Sequence, residues 1–263
     1  MEAELIAMWR RRGGGRFGSH GFGSEPEPTY TLDTFTTDDS NHFARTNTTT
    51  TDGSATMCAG VVFYLHTDFT GAAAGTILGQ RVGGSGRGYE FEYTSAGLMQ
   101  ARYYNSLGQA VPTVAPVVGP DDIGKFHTMC FSVSSSAFRF WFNGVEYGTP
   151  VTTGTYTAPL TTSAFRTGGI NGLTRPFLAG EIVGAVVKDN AGLAGGEAEA
   201  WHAAVLAAGD VVPWPTTATS AWWKSSNNVP TPGNWLDQVA SYSITEVGTV
   251  TTQQRTAEWG SGT

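Results

Sequence analysis

Two carboxylates held about 5 Å apart are what a retaining glycosidase needs, and a β-strand supplies them by alternating acids along one face. One segment has that spacing. In Gly88–Thr94 (GYEFEYT), Glu90 and Glu92 alternate with Tyr89, Phe91 and Tyr93. No other acid adjoins them and the longer pattern E-x-D-x-x-E is absent, so the expectation is a solvated strand face and no catalytic pair. Glu181 has no acid two positions on. The histidines (His20, His42, His66, His127, His202) lie near no G-x-S-x-G nucleophile motif, and His127, in a predicted strand beside Phe126, reads as structural. GQRVGGSGRG has the glycines of a phosphate loop but lacks its Lys-Ser/Thr ending and following helix, and reads as a hairpin loop. No catalytic residue is expected.

Binding chemistry has more to work with. Aromatic rings stack on pyranose faces while Asn, Asp and Arg take the hydroxyls. Tyr103, Tyr104 and Asn105 at a strand end, and Trp235 in PGNWLDQ, are the glycan-binding candidates. Core or turn packing is the competing use of each.

These residues must be positioned by strands. Charged residues make up 14% of the 263-residue chain, apolar ones 40%, and there are 35 glycines. That balance suits short strands and tight turns better than long helices. Ala59–His66 (AGVVFYLH) reads as a buried strand, and Leu98–Tyr104 as the partner of Gly88–Thr94 across the turn Thr94–Gly97. Phe126–Ser134 groups Met129, Phe131 and Val133 on one side. Asn143-Gly144 inside AFRFWFNGVEY is a strong hairpin signal, and Phe177–Lys188 is a further apolar strand. One helix is predicted over Gly196–Ala208, with Trp201, Val205 and Leu206 on a face and Gly209 ending it. It looks too short and isolated to define a layer. The expected fold is an all-β, two-sheet antiparallel jelly-roll sandwich with one short helix and an extended N-terminal arm.

The arm is Met1–Pro28. A short amphipathic stretch carrying Leu5, Ile6, Met8 and Trp9 leads into GGGRFGSHGFGS and EPEP. The alternatives are a disordered tail and an anchor onto another subunit, with those four side chains as apolar contacts. Residues 29–263 form the jelly-roll domain. A net charge of −7 argues against nucleic acid as the partner, and no apolar run approaches a membrane span. Glu2 and Glu4 precede the arginines, which is the wrong order for a secretory leader. The expectation is synthesis in a cytoplasm, with Cys58 and Cys130 as reduced, buried thiols in preference to a disulfide.

Four stretches in order carry a likeness to a known family. They are Phe35–Leu65, Gly124–Gly148 with its Phe142-Asn143-Gly144-Val145 hairpin, the strand FLAGEIVGAVVK, and the helical Leu193–Gly209. Together they resemble the concanavalin A-like lectin/glucanase superfamily, in its laminin-G-like jelly-roll branch. Ala221–Val250 resembles the piece that opens such a domain but here comes last. A circular permutation would place Trp222-Trp223 beside Phe177–Lys188; strand exchange with a neighbouring subunit is the alternative.

The resemblance implies calcium as the one cofactor worth naming, with Asp121, Asp122 and Asp189 as oxygen ligands, although none of these loops has the acid density of an EF-hand. It also implies a non-enzymatic structural or adhesive protein, most consistent by analogy with a bacteriophage virion as a capsid decoration, tail or fibre protein. Its partners would be other virion subunits, through the arm, and cell-surface glycan; its place would be the virion surface. A free, extracellular lectin module is the alternative, and a glycoside hydrolase a more remote one.

Overall fold

Strict alternation in GYEFEYT and LMQARYYN builds the hairpin around which the site forms. In the computed structural model, β5 (Arg87–Tyr93) and β6 (Met99–Asn105) pair antiparallel in the register Tyr89↔Tyr103, Glu90↔Arg102, Phe91↔Ala101 and Glu92↔Gln100. The turn sets that register. Gly97 takes φ 78°, which favours glycine, and the Thr94 hydroxyl accepts the N–H groups of Ala96 and Leu98, each at 3.3 Å.

The structure describes residues 27–37, 42–45, 56–66, 74–82, 87–105, 108–110, 112, 114–134, 137–151, 165–170, 173–174, 177, 179–189, 191–216, 219, 221–230, 233–237 and 244–261. The arm with Leu5, Ile6, Met8 and Trp9 lies outside these. The remaining strands are β1 (Tyr30–Phe35), β2 (His42–Arg45), β3 (Met57–Leu65), β4 (Gly75–Val82), β7 (Gly108–Ala110), β8 (Phe126–Val133), β9 (Phe138–Phe142), β10 (Val145–Glu146), β11 (Phe165–Thr167), β12 (Gly169–Ile170), β13 (Leu173–Thr174), β14 (Gly180–Asp189), β15 (Ala221–Pro230), β16 (Gly233–Asp237), β17 (Ile244–Val247) and β18 (Thr252–Ala257). Among the described residues one α-helix, α1 (Glu197–Ala208), follows β14. Among the described residues no helix is long and apolar enough to cross a membrane.

Hydrogen bonding runs β10-β9-β8-β3-β14-β15-β16-β17-β2-β11-β4-β5-β6-β7, with β1 joining β14 to β18. This ladder folds over so that its two halves lie face to face as the antiparallel sheets of a jelly-roll sandwich. Phe131 of β8 meets Tyr89 and Phe91 of β5, ring centroids 5.3 Å apart in each case. Tyr103 of β6 stacks on Phe138 of β9 at 6.3 Å, and Phe165 of β11 packs on Trp223 of β15 at 5.1 Å. We call the half with β3, β8, β9 and β14 the back sheet, and that with β2, β11 and β4–β7 the front sheet. β15 sits directly beside β14, with Val186↔Trp222 and Ala185↔Trp223 in register.

The back sheet's other face is covered. Cys58, Val62, Phe126, Cys130, Trp141, Val183 and Val186 form a second buried cluster with Ala198, Trp201 and Val205 of α1, joined by Val211, Trp214 and Trp259. A Cβ on Gly60 would stand 2.8 Å from Trp201 Cη2, so the helix approaches where a strand residue has no side chain. The Trp201 indole donates to Val212 O at 2.9 Å. The isolated helix expected from the sequence therefore makes a third layer. Cys58 and Cys130 lie unbridged beneath it. Asn143 (φ 48°) and Gly144 (φ 76°) form the β9–β10 turn with both central residues left-handed, as a two-residue hairpin of matching twist requires.

Candidate functional site

With the back sheet sealed by α1, the outward face of the front sheet is where the described strands collect polar side chains. Tyr89, Phe91, Tyr93, Met99, Ala101 and Tyr103 point into the core between the sheets, so Glu90, Glu92, Gln100, Arg102 and Tyr104 point away from it. Gln100 Nε2 donates to Glu92 Oε1 at 2.6 Å, Arg102 pairs with Glu92, and the Tyr104 hydroxyl donates to Glu90 Oε1 at 2.9 Å. Across β4 and β11 the row continues as Glu90↔Gly79↔Arg166.

Gly79 is required where it stands. A Cβ there would lie 2.8 Å from Tyr89 O and 3.0 Å from Glu90 Cα, so the floor between Glu90 and Arg166 is bare backbone.

The solvated acidic face expected from the sequence is corrected here. Glu90 and Glu92 are both 0% exposed. Burying a carboxylate costs several kcal/mol unless charge and hydrogen bonds compensate, and Arg102, Gln100 and Tyr104 supply that compensation. Burial works against the charged state of Arg102, but Glu92, then Tyr104 and Glu90, outweigh it and hold the guanidinium above its ordinary range. Alternation shows which side of a strand a residue takes; it carries no information on whether that side is wet.

Two of the expected glycan contacts are corrected as well. Tyr103 is wholly buried and Tyr104 is 5% exposed, so neither ring offers a stacking face to solvent. Tyr103 fills the core against Phe138, while Tyr104 joins the polar cluster through its hydroxyl. Asn105 ends β6 and Trp235 lies in β16, but their side chains are outside the described residues, as is that of Asp189 at the end of β14. Asp121 is exposed in the short 3-10 turn Pro120–Asp122, and Asp122 Oδ2 accepts the Gly119 N–H at 2.9 Å. Among the described residues no group of three or more His, Cys, Asp or Glu is placed to hold a metal ion.

The other polar clusters are structural in form. Buried Glu181 accepts from Thr34 Oγ1 and Gln253 Nε2, each at 2.5 Å, and from Arg255, binding β1, β14 and β18 together. His127 is buried between Phe63 and Phe142. Asn143 Nδ2 can only donate, so at 3.0 Å it fixes His127 Nδ1 as the acceptor, and Nε2–H donates to Asp122 O at 2.8 Å. His202 Nδ1 meets Thr128 Oγ1 at 2.7 Å, and burial next to His127 pushes its pKa down to about 4.

Comparison with known proteins agrees with this architecture. The family model of the concanavalin A-like lectin/glucanases superfamily matches residues 35–191, well over half of the chain. None of the curated proteins matches. A crystal structure from Bacteroides ovatus, described as that of a candidate carbohydrate-binding protein, superposes with TM-score 0.62 at 13% identity, over 90% of this chain and 63% of that one. The CBM40 module of the Ruminococcus gnavus IT-sialidase gives 0.46 at 13% identity, over 64% of this chain and 97% of that one. The SAP-like pentraxin of Limulus polyphemus gives 0.47 at 11%, over 83% and 95%. The chain thus spans less than two thirds of the Bacteroides structure's length.

Proposed function

The chain belongs to the concanavalin A-like lectin/glucanase superfamily, and from that premise we propose that it is a non-catalytic carbohydrate-binding jelly roll serving a larger assembly. The observation that carries this reading is the outward polar cluster Glu90, Glu92, Gln100, Arg102 and Tyr104 on one sheet, opposite a sheet sealed by α1. These groups are largely buried and bonded to one another, so the cluster stiffens the front sheet, as a rigid strand platform for a binding face requires. The description of the Bacteroides ovatus structure as that of a candidate carbohydrate binder supports the same reading.

Non-catalysis is supported by how the two carboxylates are used. Glu92 accepts from both Gln100 and Arg102, and Glu90 accepts from Tyr104. Carboxylates tied in this way to neighbouring side chains hold shape, whereas hydrolysis needs one carboxyl kept as an acid beside a second acting as base or nucleophile.

The assembly we favour is a bacteriophage virion, as decoration, tail or fibre protein at its surface, with Met1–Pro28 as the anchoring arm. This finer reading rests on the arm's apolar anchors and on analogy of fold. A glycan array probed with the purified protein, with and without calcium and alongside light scattering, tests the proposal. Specific binding without turnover of the bound glycan is expected. No binding to any glycan, or release of reducing sugar, overturns it.

A further inference from the structure

A sheet edge leaves a row of backbone N–H and C=O groups without partners, and can therefore take up another strand. The two ends of the main ladder are short: β10 has two residues and β7 three. β18 is six residues long and among the described strands pairs only with β1. Thr36 N donates to Thr251 O at 3.2 Å, and the register continues through Thr34↔Gln253 and Leu32↔Arg255. In an antiparallel pair the intervening residues turn their backbone groups the other way, so those of Thr252, Gln254 and Thr256 point off the sheet. Further along, the same edge is used: Phe126 N donates to Glu258 O at 2.9 Å and Gly260 N to Phe126 O at 2.8 Å. β8 thus closes one end of it, and Thr252–Thr256 is open.

The open stretch has none of the devices that keep edges apart. Thr252, Gln254 and Thr256 are exposed and neutral, whereas protected edges carry Lys, Pro or a bulge. Arg255, the charged residue of the strand, lies on its other side, held to Glu181 at 2.5 Å. We propose that β18 is a homotypic interface, at which two copies of this chain pair edge to edge and antiparallel about a twofold axis at Gln254. That axis sets Thr252 opposite Thr256 of the second copy and joins the edges by about six backbone hydrogen bonds. Arg255 then stands opposite Gln253, so no charge on the strand meets a like charge. A short row of neutral side chains offers neither charge nor apolar pocket to select an unlike strand, while a twofold axis uses each of its residues twice. The proposal rests on this edge alone, so its failure leaves the carbohydrate-binding reading untouched.

Sedimentation velocity of the full chain across a concentration series tests this. A short, polar interface should give a dimer that forms at concentrations on the order of 10–100 μM. Thr252→Lys with Thr256→Lys puts like charges opposite each other and should weaken association about tenfold or more. Thr252→Glu with Thr256→Lys puts unlike charges opposite each other and should hold the dimer at least as tightly as the parent. Both positions are exposed, so an unchanged thermal midpoint in both variants separates lost pairing from lost folding. A monomer at every concentration, the result if the chain's own arm or an unlike strand is the occupant, overturns the proposal. A dimer that the two-lysine variant leaves intact overturns it too, by placing the interface elsewhere. Equal weakening by both variants overturns the antiparallel twofold.

Discussion

Glu90 and Glu92 show how far residue-level reading reaches. Their alternation with three aromatic residues was legible and places them on one face. Their burial was not, because it depends on what packs over the strand. Tyr104 is a related case: the sequence singles it out as a ring, and the structure uses its hydroxyl. The buried pair has a testable consequence. Arg102→Met leaves Glu92 without its cation and should cost about 3 kcal/mol in a urea melt, whereas the double change Arg102→Met with Glu92→Leu should recover most of it. A single variant as stable as the parent would show that the pair is not what holds Glu92 in place. Gly79→Ala should also destabilise, by about 1–3 kcal/mol, since the added carbon meets backbone atoms of β5.

At the scale of elements, hairpins and the helix were readable because their signals are local. Asn143-Gly144, the Thr94–Gly97 turn and the Gly209 stop all lie where expected. The helix's partner was not readable, since the seat for Trp201 is a glycine over a hundred positions earlier in the chain. Trp201→Ala should therefore cost about 3–5 kcal/mol by chemical denaturation, which a merely appended helix would not show.

The α1 contact also carries a pH dependence. His202 of α1 touches Thr128 and lies over Gly144, with His127 nearby. Around the pair, the Asp122 carbonyl favours the charged form of His127 and Lys125 disfavours it, while burial holds both histidines below their ordinary value. The unfolded chain thus binds more protons than the folded one below the ordinary histidine pKa of about 6.5. Stability should be full above that value and decline as pH falls from it toward about 4, the folded value for His202. Urea midpoints measured across this range should fall toward acid, and His202→Gln should flatten the slope. An unchanged midpoint would contradict the burial of these rings as neutral groups.

For the whole molecule, strand count, turn spacing and motif order pointed to the superfamily and the sandwich, and the family match over residues 35–191 shows both. What local pattern could not convey was that one sheet face is sealed, because that follows from where α1 and the C-terminal segment fold back. The proposed arm is tested at this scale too: deleting Met1–Pro28 should abolish incorporation into an assembly and leave glycan affinity unchanged, and loss of both would show that the arm belongs to the binding domain.

The most direct measurement of the central claim is hydrogen–deuterium exchange of the full chain with and without the tightest glycan from the array. The account predicts slowed exchange confined to β4, β5, β6 and β11, with α1 and the back sheet unaffected. Protection centred on α1 and β8–β9, or none at a saturating glycan concentration, would contradict the assignment of the front-sheet face as the binding site.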